Sequence, residues 1–580
     1  MNMVSVCFCE HDAYNCRLAF NGDPAQVRSV SNGIYVAMRF YDQSKGYVAK
    51  IYGLRKDECM VDFYDRKTCL LPIGLIPRVT RILKSRYDDI KVLMTPGLKE
   101  MFIPPKGEVT MDTIKGYAAG LNIHDRESGD KLTPYEHQYR LAYRALNGRR
   151  ISLLACTSAG KSLSMMIMAR YLMEREHRKV LIIVPSTNLV EQLFSDFYND
   201  YGWESAGNYC TLLHSTSTDK VTKKQKEKLE DLGLGEESVL RDITISTWQS
   251  LQNKPESFFK VFTAVIVDEA HSTRGEKLRA ILAMCENAND FKVGVSGTLP
   301  SEGLDAGYIE GAIGRKEEIV RLKELVEKHV LTPVEVEAIY IPYPVALRTK
   351  ICAMQYESEY AIATNNSSRK DVMDMLIKSG KITTDQNTVV LFKSIQNLEL
   401  FLKHMMENHP EFKYHVIKGD IATDERETIR KSIERGLGNI IVATYGCMKQ
   451  GVNIKLLHNL VMAEPAKSPY MVVQSIGRIV RPHKDKKLAR VFDFVDDASY
   501  MTNARGIYTS HLRFNGLLRH YKEFRQKYYE EDNIPVNEIR LDGLYMADVS
   551  IDDLQQKRSK AAAGNKKRPT GNPYKKKFFV

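Results

Sequence analysis

From about residue 132 to 330 the chain alternates short apolar runs with longer stretches of helical periodicity. The runs are ISLLA, KVLIIVP, DITIST, FTAVIVDEA and FKVGVSGT. The pattern restarts after Pro333 with EVEAIYIPY, TVVLFKS, YHVIKG, NIIVAT, HNLVMAE and ARVFDFVDD. Strand and helix alternation of this kind predicts a parallel, doubly wound sheet, and the restart predicts two α/β units in tandem, at 116–332 and 333–499. Thr133-Pro134 before Tyr135 marks the entry into the first helix of the first unit.

The flanks read differently. Residues 1–115 hold alternating segments, IYVAMRFYD, YVAKIYGL and ECMVDFYD, which predict short strands, followed by helical periodicity after Pro72. This predicts a small α+β accessory domain. Residues 500–556 predict a helical extension, with Leu517, Tyr521, Phe524 and Tyr528 on one face docking on the second unit. Basic residues interleave with that stripe. Between Thr211 and Arg241 a polar insertion reads as a solvated surface segment.

Charge sharpens the picture at one end. The formal net charge is +12, and residues 557–580 carry nine Lys or Arg and no acid, so this stretch is expected to be disordered and to add salt-dependent affinity for nucleic acid. A length of 580 residues with 43% hydrophobic and 27% charged residues fits a soluble globular chain of several domains. No apolar run approaches the roughly 20 residues that span a bilayer, and the first residues lack a signal-peptide pattern, so the expected location is the cytoplasm, the host's if the source is viral. Ten scattered cysteines without C-x-x-C read as reduced core residues.

Candidate chemistry concentrates between Ile151 and Leu172, an apolar strand, a tight polar turn and a helix. Ala155 to Ser162 follows the phosphate-cradling loop pattern, with backbone amides of Thr157, Ser158, Ala159 and Gly160 around a polyphosphate. Lys161 would reach the β- and γ-phosphates and Ser162 would ligate Mg²⁺. Ala155 stands where the pattern has a first glycine. After the strand AVIV come Asp268, Glu269, Ala270 and His271. Asp268 would hold Mg²⁺, and Glu269 would orient and deprotonate the attacking water. In the second unit Gln474-Ser-Ile-Gly477-Arg478-Ile-Val-Arg481 sets two arginines on one helical face, able to reach the γ-phosphate across a cleft.

This series resembles the superfamily 2 helicases, in which two RecA-like domains clamp ATP between them. The resemblance implies that Tyr135 and Gln138 belong to a Q motif at the adenine, and that Thr187, Thr247, Gln249, Lys393 and Thr444 face nucleic acid. It implies further that His271, Ser296, Thr298 and Gly451 couple hydrolysis to motion, with Gln474, Arg478 and Arg481 completing the catalytic set. Trp248-Gln249 and the segment LLPIGLIPRV resemble, more narrowly, the phage UvsW-type recombination helicases. That likeness implies ATP and Mg²⁺ as cofactors and forked DNA, Holliday junctions and D- or R-loops as substrates, with RNA in RNA–DNA hybrids as a further partner. Asn453 departs from the aspartate common in motif V. The motifs also leave open an RNA helicase, a restriction-type duplex translocase, and a binding scaffold with an inactive motor. The last is disfavoured by the joint presence of Lys161, Asp268, Glu269, Gln474 and Arg481.

Overall fold

The computed structural model describes residues 4–53, 55–102, 109–214, 235–365, 368–419, 423–449, 454, 456–466, 468–503 and 510–541. The polar insertion for the most part, Gly451, Asn453 and the basic tail lie outside them.

Both α/β units are present as seven-stranded, all-parallel sheets. In the first, the spatial order is Arg315–Val320, Arg150–Ala155, Lys292–Ser296, Ala264–Asp268, Val180–Val184, Ile243–Thr247 and Cys210–Leu213. In the second it is Lys413–Ile417, Asn439–Thr444, Thr388–Phe392, Asn459–Met462, Ala489–Asp497, Val334–Pro342 and Val536–Arg540. The central strands are buried throughout, Val180–Val184 and Thr388–Phe392 among them, because helices cover both faces. Three strands carry no such signature. Cys210–Leu213 is four residues long, and the edge strands Arg315–Val320 and Val536–Arg540 are rich in charge.

The accessory domain is α+β, but the alternating segments near its centre yield only two short antiparallel strands, Arg39–Tyr41 and Met60–Asp62, outside its main sheet, and YVAKIYGL is mostly helical. Its sheet is built from Leu70–Pro72, Asn15–Asn21, Val4–Glu10 and Ile90–Met94. IYVAMRFYD instead ends the helix Pro24–Ala37 and contributes only the short strand Arg39–Tyr41. Ile34 and Met38, four apart, are buried while Val36 between them is exposed, which is a helical period. Asp23 and Asp42 cap this helix and the next, Gln43–Tyr52, each accepting two backbone N–H groups. Local caps override strand propensity here. The helix expected after Pro72 is present as Ile76–Arg86.

This domain is docked on the helix Gly303–Ala312 of the first unit. Arg78 pairs with Glu310 at 2.6 Å, and the rings of Phe63 and Tyr308 meet edge to face at 5.1 Å.

The extension docks on the second unit through most of the expected stripe, with Leu517 and Tyr521 buried and Tyr528 packed against the core. A π-turn over Tyr521–Gln526 inserts an extra residue, so the buried stripe runs Leu517, Leu518, Tyr521, Arg525 and Tyr529. Phe524 is left exposed. Arg525 pairs with Asp493 of the Ala489–Asp497 strand, and the Tyr529 hydroxyl donates to the same carboxylate at 2.8 Å. Beyond the helix the chain returns as Val536–Arg540 and closes the sheet edge beside Val334–Pro342.

Candidate functional site

The strand Arg150–Ala155 delivers the loop 156–160 to the start of the helix Lys161–Glu176. Ser158 and Gly160 both adopt left-handed φ, 68° and 71°, which turns successive amides toward one point as an anion-binding nest. A side chain at Gly160 would also collide with Gln138. Gln138 is itself buried: its Oε1 accepts from the Tyr135 N–H at 2.8 Å, and its Nε2 donates to the Ala159 and Gly160 carbonyls at 3.2 and 3.3 Å. In this structure Gln138 therefore braces the loop, and its amide faces the loop backbone instead of presenting a free edge to a base. Tyr135 is exposed and stacks on His137 at 5.6 Å.

Lys161 Nζ donates to the Cys156 carbonyl at 3.5 Å, within the loop it completes. The Ser162 hydroxyl lies 2.6 Å from the Tyr201 hydroxyl. Tyr201 follows a π-turn, Asp196–Asp200, that brings the Asp196 carboxyl close to Ser162. Desolvation, reinforced by Asp200, pushes Asp196 up to about 7. Nothing in the motif series marks Asp196 or Tyr201, because a π-turn has no sequence signature.

At the end of Ala264–Asp268 the backbone turns through Glu269 at φ 50°, and the Glu269 N–H donates to Asp268 Oδ1 at 2.9 Å. The two carboxylates separate electrostatically. Desolvation, then the Glu269 charge, raises Asp268. Desolvation acts upward on Glu269 too, but the His271 hydrogen bond and the Lys161 charge overcome it and hold Glu269 below the usual range. His271 Nδ1 lies 3.1 Å from both Glu269 Oε2 and Ser296 Oγ, and the Ser296 hydroxyl is 3.0 Å from Glu269 Oε2. Thr298 N–H donates to Ser296 Oγ at 3.2 Å. DEAH and the Ser296–Thr298 segment are thus one hydrogen-bonded unit.

The helix Pro469–Ile479 of the second unit faces this loop. Tyr470, Gln474, Gly477, Arg478 and Arg481 follow helical spacing along one face. The Ser158 hydroxyl donates to the Gly477 carbonyl at 2.6 Å, and Arg481 Nε donates to Ser158 Oγ at 3.3 Å. Desolvation, then its neighbour Arg481, brings Arg478 down to about 9, and desolvation lowers Arg481 as well. Thr157 Oγ1, Gln474 Oε1 and Arg481 Nη1 are buried with no hydrogen-bond partner among the described residues. Confined cations, unsatisfied polar atoms and an amide nest fit a polyphosphate, while Ser162 and Asp268 supply the oxygen donors that Mg²⁺ takes.

The remaining expected residues form a second region. Thr187, Thr247 and Gln249 line one open groove of about 500 Å³ with Ser186, His214 and Lys254. Thr247 is only 2% exposed, and its hydroxyl accepts from the Ser250 N–H at 3.2 Å as a helix cap. Its expected hydroxyl contact with a phosphate is therefore replaced by capping, and Thr187 and Gln249 remain as the accessible pair. On the second unit Lys393 is exposed, 4.5 Å over the Tyr360 ring, and Thr444 ends the strand Asn439–Thr444. The buried Glu464 carboxylate accepts from the Lys393 and Ser394 amides at 2.7 and 3.1 Å and so fixes that loop. Among the described residues no helix is long and apolar enough to cross a membrane.

Two RecA-like units that close a phosphate loop, a DEAH segment and a Gln-and-Arg helix around one cleft define a superfamily 2 helicase, and the chain belongs to that superfamily. The family profile of the DEAD/DEAH box helicases matches residues 135–306, and that of the helicase conserved C-terminal domain matches 368–483. The chain is similar to the ATP-dependent DNA helicase uvsW of Enterobacteria phage T4, with 29% identity over 464 residues, 80% of this chain and 86% of the relative. Among solved structures, T4 UvsW aligns with a TM-score of 0.44 at 24% identity over 93% of this chain and 99% of that one. A DNA-bound Type ISP restriction-modification enzyme, LlaBIII, aligns with a TM-score of 0.50 at 15% identity over 84% of this chain and 36% of that one. Like other members, the chain is an ATP-dependent helicase acting on nucleic acid.

Proposed function

We propose that this chain is a DNA helicase and translocase of the DEAH type that unwinds and branch-migrates forked and four-way DNA in recombination, repair and replication. One observation carries the motor reading. The phosphate loop and the Gln474–Arg481 helix touch through Ser158 and Gly477, which supports a cleft where groups from both units would meet the same phosphates.

In this reading the loop amides and Lys161 hold the β- and γ-phosphates, and Ser162 and Asp268 hold Mg²⁺, which neutralises phosphate charge when bound. Glu269, kept ionised by His271 and Lys161, takes the proton of the attacking water. Gln474, Arg478 and Arg481 bind the charge that develops on the γ-phosphate. Loss of that link after hydrolysis reopens the cleft. Tyr135 stacks on adenine, and Gln138 holds the loop ready. Thr187, Gln249, Lys393 and Thr444 grip the backbone of one strand, contacts that carry no sequence information and suit a translocase. The DNA and branch preference rests on the likeness to uvsW.

The test is steady-state ATPase without nucleic acid and with single-stranded DNA, duplex, a four-way junction or structured RNA, with Lys161→Ala as the blank. Strongest stimulation by the junction is expected. Stimulation by RNA above every DNA would replace the substrate class, and activity persisting in Lys161→Ala would overturn the site.

A further inference from the structure

Tyr470 belongs to no part of the site assigned so far. It lies on the second unit, one helical turn before Gln474 on the face that looks into the cleft. Its ring stacks on the His271 imidazole of the first unit, with centroids 4.7 Å apart and planes 15° from parallel. The Arg274 guanidinium lies 5.6 Å from the same ring. His271 is buried, and its other contacts are Glu269 and Ser296. One face of the imidazole is therefore set by the opposite unit, while its edge sets the carboxylate.

We infer that Tyr470 is a positioning residue for ATP hydrolysis, transmitting closure of the cleft to Glu269 through His271. The inference rests on Glu269 being the base. When the units are together, the stack fixes the plane of the imidazole, and Nδ1 stays within reach of Glu269 and Ser296. When they part, the imidazole loses its second wall and is free to rotate, and Glu269 loses its oriented partner. Hydrolysis then follows closure and does not run in the open state. Stacking is the relevant property because the Tyr470 hydroxyl has no role in this chain of contacts, whereas a flat ring parallel to His271 does.

The experiment compares Tyr470→Ala, Tyr470→Leu and Tyr470→Phe in the full chain with saturating DNA. Loss of an aromatic stack worth roughly 1 kcal/mol predicts a fall in kcat of about 5- to 10-fold in the Ala and Leu variants, with the KM for ATP changed less than about 2-fold. Tyr470→Phe should restore kcat. In histidine-labelled protein the ring-proton resonances of His271 should shift in Ala and Leu, through loss of the ring current, and stay in place in Phe. Unchanged kcat in both Ala and Leu overturns the inference. So does an equal loss in Phe, which would assign the hydroxyl, or a raised KM at full kcat, which would assign nucleotide binding. Glu269→Gln separates the two levels: if it hydrolyses ATP normally, the base assignment fails whatever Tyr470 does.

Discussion

The hydroxyl of Ser158, at the crest of the phosphate loop, donates across the cleft to the carbonyl of Gly477 at 2.6 Å. That approach depends on the missing side chain, since a Cβ at Gly477 would collide with Thr157. Gly477→Ala should leave each unit folded while holding them apart. We expect ATPase to fall by at least about 10-fold, because a misplacement of about an ångström can cost 100-fold. Thermal unfolding should change little, since the residue packs against the opposite unit and not within its own core. A wild-type rate in this variant would show that the observed contact is not on the hydrolysis path.

Arg481 tests the chemistry directly. In the proposed mechanism its removal takes a positive charge from the γ-phosphate while leaving the amide nest and Lys161 in place. Arg481→Ala should lower kcat about 10³-fold, the usual scale for an arginine finger. Binding of a fluorescent, non-hydrolysable ATP analogue should weaken far less. Equal losses in binding and turnover would make Arg481 a ground-state anchor instead.

Tyr201 holds the hydroxyl that Mg²⁺ should claim. Where Tyr201 donates to the Ser162 oxygen across 2.6 Å, Mg²⁺ competes with that hydrogen bond for the oxygen's lone pairs. A hydrogen bond of this kind is worth about 1 kcal/mol net, so Tyr201→Phe should lower the Mg²⁺ concentration for half-maximal ATPase by about 5-fold. A titration of Mg²⁺ at fixed ATP reads this. An increased Mg²⁺ requirement would mean that Tyr201 supports the liganded position of Ser162.

Lys292 gives a pH dependence of stability away from the cleft. It is buried at the start of the strand Lys292–Ser296, donates to Asn289 Oδ1 at 2.9 Å, and desolvation, then Arg150, brings it from 10.5 down to about 7. Below about pH 7 both folded and unfolded chains carry the proton, and the folded one bears the full cost of a buried charge. Between about 7 and 10.5 only the unfolded chain is protonated, so this group makes stability rise with pH, by up to about 1.4 kcal/mol per unit. Lys292→Met should be more stable than the parent near pH 7, and the gap should close toward pH 10. Urea unfolding at pH 7, 8 and 9 measures it, and a constant gap would refute the burial argument.

The two α/β units are legible because a fully buried parallel strand admits little but Val, Ile, Leu and Ala, and KVLIIVP or TVVLFKS read as nothing else. Edge strands escape for the opposite reason. Arg315–Val320 has one solvent-facing side and places Glu317 against Arg144, so its composition is that of a surface loop. The phosphate loop and DEAH are visible because their chemistry fixes both residue type and spacing. Gln138 is visible as well, yet its bracing hydrogen bonds to Ala159 and Gly160 depend on how the helix before the loop packs. Tyr470 could have been found by continuing the helical spacing one turn back from Gln474. Tyr201 and Tyr529 could not, since each follows a π-turn, which moves every later residue by one place.

The salt bridge between Arg78 and Glu310 and the edge-to-face pair of Phe63 with Tyr308 bind the accessory domain to the helix that follows Ser296–Thr298. Anything that domain grips is therefore carried in the same frame as Lys161 and Glu269. The cleft divides the molecule into a chassis that bears this fixed prow and an arm built on the second sheet. If the accessory domain holds a junction, as the proposed function requires, the junction rides with the chassis and is moved by the arm without a hinge of its own.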